Sequence, residues 1–184
     1  MNNKNHSAKR VALYGVLTAL SLVFGYIEHL VPFPIGIYGI KLGLSNLVTV
    51  TVLYLVGATP ALCLNFVRIC LSSLLFGNAF SFAYSLCGGM LSALVMCLAK
   101  RTNKFGVVGV SIFGGVTHNI AQLAVAVIMV EEFKIAFYLP VLLITGALTG
   151  AVIGGLALTI IKNPHISNIC KSKENEKVRI QEKK

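Results

Sequence analysis

The sequence predicts an all-α integral membrane protein: six transmembrane helices with both termini on the cytoplasmic side. Three observations lead there. First, 56% of the 184 residues are hydrophobic and only 12% are charged, with a mean hydropathy of +0.81. A soluble core in so short a chain cannot hide that much apolar surface. Second, the apolar residues gather in runs close to the roughly 20 residues that cross a bilayer. Third, thirteen of the sixteen Lys and Arg residues fall in three segments that six spans would place on one side. The positive-inside rule makes that side cytoplasmic. A net charge of +10 could suit a nucleic-acid binder, but the basic residues lie between apolar runs rather than along one amphipathic face. Nucleic acid is therefore excluded as a partner, and lipid is expected.

In chain order, residues 1–10 form a polar cytoplasmic tail, with Lys4, Lys9 and Arg10 immediately before the first apolar run, 11–31. That run is too long for a signal peptide, and further spans follow it. The second span is expected over 42–56. A Gly57-Ala58-Thr59-Pro60 turn leads to the third, 61–76, and Gly77-Asn78 leads to the fourth, 80–99. Lys100, Arg101 and Lys104 separate this from the fifth, 106–130, and Glu131-Glu132-Phe133-Lys134 precedes the sixth, 135–161. The transmembrane domain is thus 11–162, and 163–184 is a basic cytoplasmic tail.

The main interruption is Glu28 to Asn46, EHLVPFPIGIYGIKLGLSN. Pro32, Pro34, Gly36, Gly39 and Gly43 oppose helix there, because proline lacks a donor and glycine leaves the backbone unconstrained. Irregular backbone at membrane depth persists only against protein or along a polar cavity. Residues 32–41 are therefore expected to form an outward-facing lid.

Polar residues within the spans require a reason. Arg68 lies mid-span, where an unpartnered arginine costs roughly 2.5–3.5 kcal/mol on insertion scales. Asn65, Arg68 and Ser72 share one helical face, as do Ser111, Gly115, His118 and Gln122, with Asn119 beside them. Asn46 and Thr49 form a shorter stripe, and Ser81 and Ser85 another. These residues suggest a substrate pocket in the outer half of the bundle. Arg68 is its charge anchor, His118, Asn119, Gln122 and Asn46 are hydrogen-bonding groups, and Glu28 and Lys41 lie at its edge. The bland alternative is a structural network in which Arg68 pairs with a carbonyl or with Glu28 and staples helices together.

Gly146, Gly150 and Gly154 recur every fourth residue on the sixth span, a spacing that lets helix backbones approach closely and suggests helix packing. Ala12, Gly15 and Ala19 make a similar patch on the first span, suited either to packing or to docking a partner. Other chemistry is missing from the sequence. Five cysteines show no C-x-x-C or zinc spacing, and no phosphate-binding G-x-x-x-x-G-K-[ST] occurs, so no metal or nucleotide cofactor is expected. The chain has no aspartate, whereas the magnesium–diphosphate clusters of prenyl-transfer enzymes need several carboxylate oxygens. No catalytic constellation is present.

Four patches carry a resemblance: GIKLGLSNLVTVTVLYLVG from Gly39, RICLSSLLFG from Arg68, YSLCGGMLSALVM from Tyr84 and GVTHNIAQL from Gly115. Together they resemble a bacterial membrane family known as the Gx transporter family, or heptaprenyl diphosphate synthase component I, over residues 10–162. That family is grouped with the substrate-binding S-components of energy-coupling factor transporters. The resemblance implies a six-helix bundle of that kind, with a lid at 32–41 and a pocket at Lys41, Asn46, Arg68, His118, Asn119 and Gln122. It also implies docking of a coupling subunit through small residues of the first helix. Here Gly15-x-x-x-Ala19 approximates the usual A-x-x-x-A, while Ala12 is followed four residues later by Val16. Two functions follow. One is uptake of a small anionic or amphipathic solute, with isoprenoid- or quinone-related compounds among the candidates, and with ATPase and coupling subunits as partners. The other is a non-catalytic membrane component of a heptaprenyl diphosphate synthase, serving quinone side-chain synthesis beside a soluble prenyl synthase subunit.

Overall fold

The computed structural model describes residues 2–30 and 43–164. Its regular elements are helical: α1 Asn2–Leu30, α2 Leu44–Leu55, α3 Ala58–Phe76, α4 Ala79–Arg101, α5 Val107–Val130 and α6 Leu139–Lys162, with a 3-10 turn, Phe133–Tyr138, leading into α6. The lid segment 32–41, Lys41 and the tail from 165 onward lie outside the described residues.

Five of these helices are long and apolar enough to cross a membrane. The second differs from the expected span of 42–56. At 12 residues, α2 extends only about 18 Å, well short of a hydrocarbon layer of about 30 Å. The first element also differs at its start, since helix begins at Asn2 and takes in the polar stretch before Val11.

Local chemistry sets the boundaries. Gly43, at φ 74°, turns the chain into α2, and Gly57, at φ 124°, allows the tight passage from α2 to α3. The Asn78 side chain accepts a hydrogen bond from Ser81 N at 2.8 Å and caps α4. Pro140, in the first turn of α6, removes a donor that would have no intrahelical partner there.

The short helix occupies the centre. It packs against α1, α3 and α6 and also touches α4 and α5, while α3, α4, α5 and α6 pack in sequence around it. Leu47, Val48, Val50, Val52 and Leu53 of α2 are almost wholly buried, against Ala61 and Leu64 of α3, Met96 of α4, Val110 of α5 and Ile153 and Ala157 of α6. By contrast α1 is peripheral, with contacts to α2 and α3. Ala12, Gly15 and Ala19 lie on its exposed side together with Val11, Val16 and Val23, and nothing lies within 4 Å of where a Gly15 Cβ would be.

The closest helix pair is α5–α6. Gly146 sits against Gly115, Gly150 against Ser111 and Ile112, and Gly154 against Val108 and Ser111. A Cβ on Gly150 would meet Ile112 Cα and Ser111 O at 2.8 Å, and neither of those backbone atoms can move aside alone. Gly150→Val is therefore expected to destabilise the bundle by about 1–3 kcal/mol, the range for overpacking. Gly155, with open space around its Cβ position, serves as the control. Gly155→Ala should stay within about 0.5 kcal/mol of the parent. Thermal unfolding of both variants in mild detergent measures the difference.

Candidate functional site

Because α2 is short, a space remains beyond its N-terminus, walled by its longer neighbours. It is a cavity of about 220 Å³. α1 contributes Gly25 and Glu28, and α2 contributes Ser45 and Asn46 from its first turn. The C-terminal half of α3 provides Arg68, Ile69, Ser72 and Phe76, while α4 adds Ser81 and Ser85 near its start. α5 supplies Gly115, His118, Asn119 and Gln122, and α6 closes the wall with Thr149, Gly150 and Ile153. Of the sequence-derived candidates, Glu28, Asn46, Arg68, His118, Asn119 and Gln122 all line this one cavity. Lys41 lies outside the described residues.

Arg68 is the centre of a buried hydrogen-bond network. Its Nη1 donates to Ser45 Oγ at 2.7 Å and its Nη2 to Asn65 Oδ1 at 2.8 Å, while its Nε–H is buried with no partner among the described residues. Asn65, 1% exposed, holds the other end: its Nδ2 donates to Gly89 O at 2.9 Å, and Thr49 Oγ1 donates to its Oδ1 at 3.4 Å. Thr49 thus belongs to the support of the site rather than to its wall. Ser45 links the arginine to a carboxylate, since its hydroxyl accepts from Arg68 and donates to Glu28 Oε2 at 3.3 Å.

Glu28 has a second task. Its Oε1 accepts from Leu44 N at 2.8 Å, so the carboxylate satisfies the first turn of α2. Helix N-termini leave backbone donors without intrahelical partners, and a negative charge there is favourable. The candidate edge residue is therefore also the cap of the central helix.

The opposite wall rests on a glycine pair of α4. A Cβ at Gly88 would meet Gln122 Cγ at 2.7 Å and His118 Cε1 at 3.2 Å, and one at Gly89 would meet Ile69 Cδ1 at 2.6 Å. These two glycines let the α5 side chains and Ile69 pack directly on the α4 backbone. Gln122 is 3% exposed, and its amide makes no hydrogen bond to another described residue. The Asn119 amide donates to Leu142 O at 2.8 Å, which ties α5 to α6 and leaves its oxygen as an acceptor.

Both readings of the polar stripes thus have a physical counterpart. Asn65, Thr49, Ser45 and Glu28 staple α1, α2, α3 and α4, while Arg68 Nε and the Gln122 amide make no hydrogen bond to another described residue. Sequence reasoning did not single out Ser45, Gly88 or Thr149. Ser45 adjoins the chosen Asn46, but nothing in the sequence says that its hydroxyl joins two charges. Gly88 stands in a Gly-Gly pair, a signal of close packing that did not identify its neighbour. Among the described residues no group of three His, Cys or Glu side chains could hold a metal ion.

A family model described as heptaprenyl diphosphate synthase component I matches residues 17–160, which takes in the C-terminal part of α1, the whole of α2 to α5 and all but the end of α6. No curated protein and no solved structure matches the chain.

Asn65→Ala should leave Arg68 Nη2 and Thr49 Oγ1 without the partner they share. Each unsatisfied buried group costs about 1–3 kcal/mol, so unfolding in detergent should occur at clearly lower temperature or denaturant. An unchanged transition would mean that water or rearrangement replaces the network.

Proposed function

The chain belongs to the heptaprenyl diphosphate synthase component I family, and we propose that it is a membrane protein that captures a small solute bearing an acidic group. Arg68 is the observation that carries this reading. An arginine deep among apolar helices, with one N–H unpartnered and its neighbours lining a polar cavity, is placed as a binding group would be. Guanidinium recognises carboxylate and phosphate through charge-assisted hydrogen bonds. Asn46, His118, Asn119 and Gln122 would orient the solute, and the 32–41 segment with Lys41 would cover the site from outside.

In this reading the short α2 completes a six-pass arrangement, with both termini on the cytoplasmic face of the cell membrane, as the distribution of Lys and Arg favours. Lys100 and Arg101 end α4 away from the cavity, which supports the reading of an outward-facing site. The chain carries no phosphate-binding loop, so energy for uptake would come from a separate ATPase through a membrane coupling subunit. The exposed face of α1, with Ala12, Gly15 and Ala19, would receive that subunit.

The second reading follows the family description: a non-catalytic membrane component that recruits a soluble prenyl synthase. The absence of aspartate from the chain favours a recruiting role over a catalytic one. Its ligand, if any, would be an isoprenoid.

Purification of the tagged full-length protein in mild detergent, with mass spectrometry of stoichiometric partners and co-purifying small molecules, separates the two. Transport predicts an ABC-type ATPase, a membrane coupling protein and a water-soluble solute. Recovery of an aspartate-rich prenyl synthase would replace transport with the second reading. For the site, Arg68→Leu should retain the fold and lose solute affinity by about 30-fold or more, the lower end for removing one partner of a buried charge pair. Unchanged affinity in a folded Arg68→Leu protein would remove the anchor role.

A further inference from the structure

The charged groups on the cavity wall set a constraint on what can enter. Among the described residues that line the cavity, Arg68 and Glu28 carry the formal charges, one of each sign. They are joined through a single hydroxyl, with Arg68 Nη1–Ser45 Oγ at 2.7 Å and Ser45 Oγ–Glu28 Oε2 at 3.3 Å. The two poles are thus at most two hydrogen bonds apart, and they are opposite in sign. A solute that carries both an acidic and a basic group meets an opposite charge at each end, so neither of its charges is left unpaired where desolvation is costly. A plain anion drawn to Arg68 would also face the carboxylate of Glu28.

We propose that the cavity takes a small zwitterion of the α-amino-acid type, with its carboxylate on Arg68, its ammonium on Glu28 and a polar substituent on Gln122. This rests on reading the cavity as a solute site and narrows the solute class. Both poles retain capacity. Arginine has five N–H donors, two of which are engaged here, and the Nε–H is buried without a partner. A carboxylate offers about four acceptor positions, and Glu28 uses two, for Leu44 N and Ser45 Oγ. The acid and amine of an α-amino acid flank one carbon, so its dipole is short, like that of the wall.

Gln122 supplies an independent indication. A polar side chain only 3% exposed, without a hydrogen bond to another described residue, faces the cavity from the helix opposite Arg68 and Glu28. An amide presented to a cavity offers both donor and acceptor, which suits a ligand that brings the complementary groups. Size agrees. About 220 Å³ holds roughly seven waters at about 30 Å³ each, and it is below the roughly 300–1,000 Å³ of sites for drug-sized ligands.

The test is thermal stabilisation of the purified full-length protein by individual proteinogenic L-amino acids. Each amino acid that stabilises is then compared with its N-acetyl and des-amino derivatives, and inorganic phosphate and short-chain carboxylates are run in parallel. At least one amino acid should bind, with both derivatives weaker by about 30-fold or more, as expected when one partner of a buried charge pair is removed. Glu28→Gln keeps an oxygen for Leu44 N but removes the charge, so it should abolish the preference for the amine. Gln122→Leu should weaken binding while keeping that preference, which a purely structural Glu28 would not explain.

Equal binding of the des-amino acid, or of phosphate, by the unmodified protein would overturn the zwitterion and leave an anion site standing. Failure of every amino acid while a short carboxylate stabilises would do the same. Failure of all small polar probes, with stabilisation by a prenyl diphosphate, would overturn both the zwitterion and the solute reading.

Discussion

The structure depends on keeping a short helix buried in the middle of a bundle of longer ones. A 12-residue helix exposes backbone donors at one end and acceptors at the other, and neither set can turn to water inside an apolar bundle. Side chains from neighbouring helices resolve both ends. Glu28 of α1 accepts from Leu44 N at the start, and Lys100 of α4 donates to Leu53 O at 2.6 Å at the finish. The charges have the signs that a helix dipole favours, negative at the N-terminus and positive at the C-terminus. Lys100 also lies 4.9 Å over the Tyr54 ring, a cation–π contact that fixes its position further. Apart from the Thr49–Asn65 hydrogen bond, the interior of α2 is held mainly by apolar packing, and Val48, Val50, Val52 and Leu53 are nearly inaccessible.

The cavity follows from that arrangement. Neighbouring helices continue past the N-terminus of α2, and the polar groups they carry there surround the space it leaves. The same carboxylate that caps α2 brings Ser45 into contact with Arg68, so the support of the helix and the charge of the site form one network. Glycine completes it. Gly88 and Gly89 admit side chains from α5 and α3 onto the α4 backbone, while Gly146, Gly150 and Gly154 bring α6 against α5. Small residues at contacts are the general way in which membrane helices gain packing without a hydrophobic drive from water.

Much of this was legible in the sequence. Helical spacing put Arg68 with Asn65, and His118 with Gln122, and the structure brings Glu28, Asn46, Arg68, His118, Asn119 and Gln122 to one cavity. These residues were readable because a polar side chain in an apolar run must have a reason, and periodicity shows the face it takes. The shortness of α2 was not readable. Val56 and Leu42 are as apolar as the helix interior, so hydropathy runs past both ends, and although Gly43 and Gly57 signal breaks in the sequence, only their positive φ shows that the helix stops at them. The double role of Glu28 was equally hidden, because Leu44 N is sixteen residues away along the chain and only the fold brings it near.

Cavity chemistry also bears on the two functional readings. A heptaprenyl chain is wholly apolar and far larger than 220 Å³, whereas the wall here carries a guanidinium, a carboxylate, an imidazole, amides and several hydroxyls. Burying a hydrocarbon against those groups would leave their remaining hydrogen-bonding capacity unused, a cost that hydrophobic contact with Ile69, Phe76 and Ile153 would have to exceed. A small polar solute meets the same groups with hydrogen bonds. A recruiting role for the family therefore does not need this cavity, while a solute-binding role would account for an arginine at position 68, where leucine would insert at lower cost. If the chain does recruit a synthase, the contact belongs on its outer surfaces, and the polar interior still requires a separate explanation.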